Sequence, residues 1–230
     1  MKIEQIYTGC LAQGAYYITS NGEAAIIDPL REIQPYLDRL ERDQVKLKYI
    51  FETHFHADFV SGHVDLSKET QAPIVYGPNA ACEFDCISAK DGQEFKIGNI
   101  TIKAIATPGH TDSHLAYLVN NSHILTGDAL FIRGCGRTDF QSGDAGTLFD
   151  SVTQKLFSLP DSTLVYPGHD YRGLTVSTIA EEKQYNPRFV GRNRRQFIEF
   201  MNSLNLPDPK KIMEAVPANQ GCGNLGVVLA

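Results

Sequence analysis

The chain has 230 residues, of which 42% are hydrophobic, and carries a formal net charge of −6. A chain of this length buries roughly 70–75% of the surface that its unfolded form exposes, which favours one domain that folds without disulfides. The negative charge and the lack of a long apolar run argue against nucleic acid and membrane as partners, because nucleic acid attracts clustered positive charge and a membrane span needs about 18 apolar residues.

The first part of the chain is predicted to form short strands separated by turns. The strands cover residues 2–8, 15–20, 23–28 and 45–53. The turn signal SNGE separates the second strand from the third. A helix over residues 31–43 is indicated by Ile33, Leu37 and Leu40, which fall at helical spacing. The fourth strand leads directly into His54, so the segment ETHFHADFVSGH begins in a loop between a strand and a helix.

The rest of the chain continues this pattern. Strands are predicted at residues 72–77, in two pieces over 94–110, in a hairpin over 116–130 that turns at Asn120 and Asn121, and at 163–171. Helices are predicted near residues 63–70 and 147–159 and over residues 194–206. Another helix is predicted to begin at a capping box, Thr178 with Glu181, and to stop at Asn186 and Pro187. A last helix is predicted to begin at Asp208 and Pro209, which offer an N-cap and a proline in the first turn. Several of these strands end in polar residues that can bind a metal.

Four of the seven histidines lie just past predicted strands, beside small or turn-forming residues. They are His54, His56, His110 and His169, and Asp58 and Asp128 are placed in the same way. Loops at one edge of a layered α/β domain bring such residues together. The pattern therefore predicts a metal site that is assembled from distant parts of the sequence.

These motifs resemble those of a known family. HFHAD, PGH at His110, TGDAL at Asp128 and PGHD at His169 resemble the ordered ligand motifs of the metallo-β-lactamase fold superfamily. The segments RGCGRTDFQ, YPGHDYRGLTVSTIAEE and VPANQGCG are similar to the persulfide dioxygenase family within it, and the likeness covers residues 1–224. The resemblance implies an α/β fold, an αββα four-layer sandwich, with residues 1–224 as one catalytic domain with C-terminal helices. Residues 225–230 are then a tail, either flexible or the remnant of a longer chain.

The resemblance implies one iron(II) ion per chain, held by His54, His110 and Asp128. The neighbours of the metal are then His56, Asp58 and His169. The residue chemistry agrees, because two imidazoles and one carboxylate on one face of an octahedron leave positions for substrate and dioxygen. Phe59 stands where a dinuclear site requires another ligand, which favours a single metal. His63 is expected to pack locally, with compensation for the missing ligand as the alternative.

The activity implied by the resemblance is the oxidation of glutathione persulfide, or a similar small persulfide, by O2 to sulfite and the thiol. The outer sulfur takes up all the oxidising equivalents of one dioxygen, so no further cofactor is expected. The same resemblance places Tyr171 near the reaction as a hydrogen-bond donor and Arg137 as a substrate contact. Asp170 is expected to orient a ligating imidazole. A loop-bracing ion pair with Asp139 is the alternative for Arg137, and Cys222 is expected either to contact substrate or to be structural.

Two other functions stay open at this point. A glyoxalase II-type hydrolase, which acts on a glutathione thioester, uses metal-bound hydroxide in place of dioxygen. A non-catalytic metal-binding scaffold needs the ligands alone. Phe59 and the segments RGCGRTDF and VPANQGCG favour the dioxygenase over the hydrolase, and the complete ligand set for one metal argues against the scaffold.

Five scattered cysteines in a chain of this size favour a reducing compartment, and we expect a cytoplasmic protein. Cys82, Cys86 and Cys135 are expected to be structural, with a redox role as the alternative. The resemblance further implies a homodimer and a rhodanese-type sulfurtransferase as a functional partner. The sequence does not identify the physiological persulfide.

Overall fold

The computed structural model describes residues 1–207 and 211–221, and two six-stranded sheets form its centre. The first sheet contains β1 (Lys2–Thr8), β2 (Gln13–Ser20), β3 (Glu23–Ile27), β4 (Lys46–Phe51), β5 (Ile74–Tyr76) and β6 (Ile87–Ser88). The second sheet contains β7 (Glu94–Ile97), β8 (Ile100–Ala106), β9 (Leu115–Val119), β10 (His123–Gly127), β11 (Leu164–Pro167) and β12 (Ser177–Thr178). The helices are α1 (Gln34–Asp43), α2 (His63–Thr70), α3 (Ala145–Asp150), α4 (Ile179–Tyr185), α5 (Arg194–Asn202) and α6 (Ile212–Gln220).

Both sheets are mixed. In the first sheet the strands follow chain order, with β1, β2 and β3 antiparallel and β3 to β6 parallel. In the second sheet the order is β12-β11-β10-β9-β8-β7, in which β10 and β11 are parallel and the other neighbours antiparallel. Parallel strands end at the same edge of a sheet, so β10 and β11 deliver the residues that follow them to one place.

Three apolar layers stabilise the fold, and side-chain alternation along the strands separates them. In β9, Leu115, Tyr117 and Val119 belong to the layer between the two sheets, whereas Ala116 and Leu118 belong to the layer beneath the helices of the second sheet. The helices α1 and α2 pack on the outer face of the first sheet, and α3, α4 and α5 on the outer face of the second. The predicted αββα four-layer sandwich is therefore confirmed.

Both predicted hairpin turns form because their central residues accept left-handed backbone geometry. Asn21 and Gly22 have φ angles of 46° and 79°, and Asn120 and Asn121 have φ angles of 47° and 54°. Positive φ at both central positions gives a type I′ turn, whose twist matches that of the strands it joins.

The structure differs from the sequence prediction at several element boundaries. The first helix begins at Gln34 rather than at residue 31, with Pro35 in its first turn, where the missing N–H of proline costs no hydrogen bond. The helix predicted around residues 147–159 is divided into α3 and a π-helical segment, Ser151–Leu156. The strands β6 and β12 were not predicted, since two residues are too few to show a periodic pattern.

The end of the chain follows the predicted signals where it is described. The capping box is confirmed: the Glu181 N–H donates to Thr178 Oγ1 and the Thr178 N–H donates to the Glu181 carboxylate, both at 3.1 Å. The helix α4 ends just before Asn186, as predicted. The N-cap predicted at Asp208 and Pro209, Cys222 and the tail 225–230 lie outside the described residues. Among the described helices, none is both long and apolar enough to cross a bilayer.

Candidate metal centre

The ends of four strands bring the predicted metal ligands to one place. His54 follows β4, His110 follows β8, Asp128 follows β10 and His169 follows β11. Gly127 lets β10 approach the loop after β4: its φ is 48°, and a Cβ at this position would lie 2.7 Å from both Thr53 and His114. A side chain at position 127 would therefore push the loop that carries His54 away from Asp128.

His54, His110 and Asp128 form a compact group of possible ligands. One ligand atom from each lies within 4.8 Å of the others. The Nε2 atom of His110 is 3.6 Å from Oδ2 of Asp128. Oδ1 of Asp128 is buried and has no hydrogen-bond partner, a costly state for a carboxylate oxygen unless a cation binds it.

Hydrogen bonds behind the two imidazoles fix which ring nitrogen faces the group. Thr53 donates its hydroxyl proton to Asp28 at 2.8 Å, so its oxygen accepts the Nδ1–H of His54 at 2.9 Å. The Nδ1–H of His110 donates to the Arg137 carbonyl at 2.7 Å. In the neutral form of either ring, Nε2 is therefore the unprotonated nitrogen, the one with which histidine binds a metal.

The charge states also suit a cation. Burial, and then the neighbouring imidazoles His56 and His110, hold the pKa of His54 well below its usual value, so the ring is neutral. Burial alone raises the pKa of Asp128, but His169 and His110 lower it below its usual range, so the carboxylate is ionised. Neutral imidazoles with one carboxylate are the donor set that holds iron(II) in oxygenases and leaves coordination positions open.

His56 lies beside this group but turns away from it. Its Nε2 atom is 3.2 Å from Oδ1 of Asp28 and 3.3 Å from Oε2 of Glu52, and all three side chains are buried. Burial lowers the pKa of His56, but Asp28 and then Glu52 raise it well above its usual value. The ring stacks on Phe59, with ring centroids 4.2 Å apart. His56 is thus held as an imidazolium between two carboxylates, next to the predicted ligands.

His169 lies beside Asp128, and Asp58, the other predicted neighbour of the metal, lies beside His169. The Nε2 atom of His169 is 3.6 Å from Oδ2 of Asp58 and 3.8 Å from Oδ1 of Asp128. The Nδ1–H of His169 donates to the Leu11 carbonyl at 3.2 Å. In the described part of the chain, these residues do not converge within 4.8 Å as the first group does. Phe59 is buried against His56 and offers this side no ligand atom.

A cavity of about 690 Å³ opens onto the predicted ligands. Its lining includes His54, His110, Asp128, His169, Tyr171, Arg137, Arg172, Arg188, Phe140 and Phe200. The ring of Tyr171 stacks on His169 with centroids 5.9 Å apart, and its side chain is largely exposed. Buried Cys135 lines the same cavity. The cavity volume falls in the range of sites for small organic ligands.

Arg137 forms the loop-bracing ion pair with Asp139 that was the alternative to a substrate contact. Its Nε and Nη2 atoms donate to the two carboxylate oxygens of Asp139 at 2.6 and 2.7 Å, and Nη1 donates to the Pro207 carbonyl at 2.7 Å. The guanidinium also lies over Phe140, 4.4 Å from the ring centroid. This bracing holds the loop whose Arg137 carbonyl orients His110.

Asp170 has different partners from those predicted. Its Oδ2 atom accepts the backbone N–H groups of Arg172 at 3.1 Å and Leu174 at 2.5 Å, so the carboxylate shapes its own loop. The orientation of the imidazoles comes from Thr53 and from the Arg137 carbonyl instead. Asp170 stands at the start of its turn, so the backbone N–H groups that follow it occupy the carboxylate.

Several residues of the site were missed in the sequence. His114 accepts the Asp128 N–H on Nε2 at 3.0 Å, and burial lowers its pKa to about 3, so it is neutral. Asp28 and Glu52 hold His56 and the loop behind His54. Asp28 and Glu52 each stand at the end of a predicted strand, the same signal that identified Asp128. That signal, applied to every acidic residue, would have found both.

Comparisons with known proteins match most of this chain. The family model of the metallo-beta-lactamase superfamily matches residues 8–85 and 87–169. A mitochondrial persulfide dioxygenase (ETHE1) of Homo sapiens is 42% identical over 204 residues, which are 87% of this chain and 80% of the relative. A probable hydroxyacylglutathione hydrolase of Schizosaccharomyces pombe is 31% identical over 235 residues, covering 86% and 89% of the two chains. The crystal structure of ETHE1 from Myxococcus xanthus has a TM-score of 0.94 and 43% identity, over 97% of this chain and all of the other.

Proposed function

Because the chain belongs to the metallo-β-lactamase superfamily and, within it, to the persulfide dioxygenase family, we propose that it is an iron(II)-dependent dioxygenase that oxidises glutathione persulfide. The reaction consumes the persulfide, one O2 and one water, and yields sulfite and glutathione. The observation that carries the proposal is the convergence of His54, His110 and Asp128 within 4.8 Å at one cavity. Bound iron(II) supplies the redox chemistry that joins dioxygen to the outer sulfur.

The neighbours of these ligands favour a single metal. His56, which has the spacing of a further ligand, is engaged by Asp28 and Glu52. Phe59 places a phenyl ring where a second cation would need a nitrogen. A hydrolytic dinuclear site requires two cations roughly 3.5–4 Å apart, each with its own ligands. The donor set therefore supports one-metal oxygenase chemistry over two-metal hydrolysis.

The cavity offers groups that match the substrate. Glutathione persulfide is an anion that carries the persulfide group on its cysteine side chain and has two carboxylates in its peptide. Tyr171 lines the cavity beside His169, where its hydroxyl can donate a hydrogen bond to a bound sulfur or oxygen. Arg172 and Arg188 line the cavity as well and bring positive charge for the peptide carboxylates. Arg137 supports its loop, and we propose no direct contact of its guanidinium with the substrate.

Oxygen uptake tests the proposal. Protein loaded anaerobically with iron(II) is expected to consume O2 and form sulfite when glutathione persulfide is added, whereas a zinc(II)-loaded sample consumes none. His110→Ala is expected to abolish uptake. His123→Ala is the matched control, since His123 starts β10 and stacks on Tyr166 instead. Hydrolysis of S-lactoylglutathione by the zinc sample, without O2 uptake by the iron sample, would replace the proposal with the hydrolase.

The cellular location, the oligomeric state and the functional partner of the protein are predictions. We propose a cytoplasmic location from the cysteine content, while the human relative is named as mitochondrial. A homodimer and a rhodanese-type sulfurtransferase that supplies persulfide are proposed from the family likeness. Size-exclusion chromatography with light scattering tests the first of these, and coupled turnover with an added sulfurtransferase tests the second.

A further inference from the structure

The loop that carries His54 has little regular structure, although most of it is buried. Between residues 54 and 61 its backbone groups need partners from elsewhere, since buried unpaired N–H and C=O groups are costly. Three of these partners come from one side chain, Asn219 on α6. Its Nδ2 atom donates to the carbonyls of His56 and Phe59, both at 2.9 Å, and its Oδ1 atom accepts the Ser61 N–H at 2.7 Å.

The side chain of Asn219 is matched to this task. It is fully buried, and the three hydrogen bonds use both of its N–H groups and its oxygen. The two carbonyls flank Asp58, so one amide group spans the turn from which Asp58 points toward His169. Neither alanine nor aspartate can make all three bonds, because alanine has no polar atoms and aspartate has no N–H.

The helix α6 is attached to the fold independently of this contact. Ala215 and Ala218 are buried on it, and its Gln220 carbonyl accepts the Glu83 N–H at 2.9 Å. The bonds of Asn219 are therefore additional to the docking of the helix. They join a segment about 160 residues away in sequence to the loop after β4.

We propose that Asn219 is a positioning residue of the metal centre, which fixes the loop 54–61 so that His54 and Asp58 face the bound ion. The proposal makes α6 part of the functional site. It rests on the metal centre of the proposed function and not on the dioxygenase reaction. The competing explanation is that Asn219 contributes to overall stability alone.

Metal affinity and amide exchange separate these explanations. The full chain is prepared as wild type, Asn219→Ala, Asn219→Asp and Leu156→Ala. Leu156 is fully buried in the layer under the second sheet, away from the loop, so its variant is destabilised by a cavity without touching the site. Zinc(II) affinity is measured by competition with a chelator, and hydrogen exchange is followed in the metal-free protein.

Both Asn219 variants are expected to bind zinc(II) at least about tenfold more weakly, the range found when the support of a metal ligand is lost. Exchange is expected to rise in the peptide that contains Ser61 and to stay unchanged in β9. Leu156→Ala is expected to keep wild-type zinc affinity despite a lower melting temperature. If Asn219→Ala does not fold, Asn219→Asp carries the test, since it keeps the acceptor for Ser61.

Two results would overturn the proposal. One is wild-type zinc affinity in the Asn219 variants, and the other is an equal loss of affinity in Leu156→Ala, which would assign the effect to overall stability. Because zinc binding needs no turnover, the test is independent of the dioxygenase assay. A chain without persulfide activity but with weaker zinc binding in both Asn219 variants would refute the proposed function and keep this one.

Discussion

Replacing Glu52 with Gln tests the buried charge cluster behind the metal centre. Glu52 is fully buried, accepts the Ser61 hydroxyl at 2.5 Å, and lies 3.3 Å from Nε2 of His56 and 3.4 Å from Nδ1 of His63. Burial raises the pKa of Glu52, but the adjacent rings of His56 and His63 lower it below its usual range, so the carboxylate is charged. Gln keeps the volume and removes the charge.

The expected loss of unfolding free energy depends on which charges keep a partner after the substitution. Removing one partner of a buried ion pair costs about 3–5 kcal/mol, since the other charge is left buried. His56 keeps Asp28 at 3.2 Å, so we expect the lower end, about 3 kcal/mol. With a urea m-value of about 3 kcal/mol/M for a chain of this size, the unfolding midpoint falls by roughly 1 M.

Circular dichroism of metal-free protein in urea measures this midpoint, so that lost metal binding does not add to the difference. The control is Glu94→Gln, which removes an exposed carboxylate from β7 and should leave the midpoint unchanged. A Glu52→Gln midpoint within about 0.2 M of wild type, at equal m-value, would refute the argument that the cluster is a paired charge network.

Three further predictions test other parts of the site. Phe59→His supplies the nitrogen that a second cation lacks, and zinc bound per chain, counted by native mass spectrometry, is expected to rise from one toward two. Burial raises the pKa of Cys135 to about 12, so at pH 8 the thiolate fraction of Cys135 is about 1,000-fold smaller than that of an ordinary thiol. Peptide mapping should therefore show that iodoacetamide modifies exposed Cys10 long before Cys135. Arg137→Lys and Asp139→Asn should each lower kcat/KM for O2 uptake about tenfold, since both loosen the same loop.

Each of these predictions has a control or a result that would contradict it. Phe59→Leu should keep one zinc, and one zinc in Phe59→His would show that this loop cannot turn an imidazole to the second position. Modification of Cys135 should speed up as pH rises toward its pKa, and equal rates for both thiols at pH 8 would contradict its protection. A loss confined to Arg137→Lys, with Asp139→Asn unchanged, would assign the guanidinium to substrate binding instead of bracing.

The prediction of strands and turns succeeded because short-range rules decide them. Alternation in β9 identifies its two faces, and Asn120 with Asn121 accepts positive φ in the turn that follows. The helix signals also acted locally, as the capping box at Thr178 shows. The short strands β6 and β12 were missed because pairing with longer neighbours, and not their own pattern, makes them strands.

The sequence by itself determined that His54, His110, Asp128 and His169 would lie near one another, since each follows a strand and strand ends converge at one edge of the sandwich. The family resemblance singled out His54, His110 and Asp128 as the ligands, and these three do converge. The tertiary structure decided where the neighbouring side chains point. His56 turns to Asp28, 28 positions earlier, and Asn219 holds the same loop from more than 150 positions away. The physical reason is that an irregular loop has no period of its own. Its side-chain directions are set by whichever distant groups satisfy its buried charges and backbone hydrogen bonds.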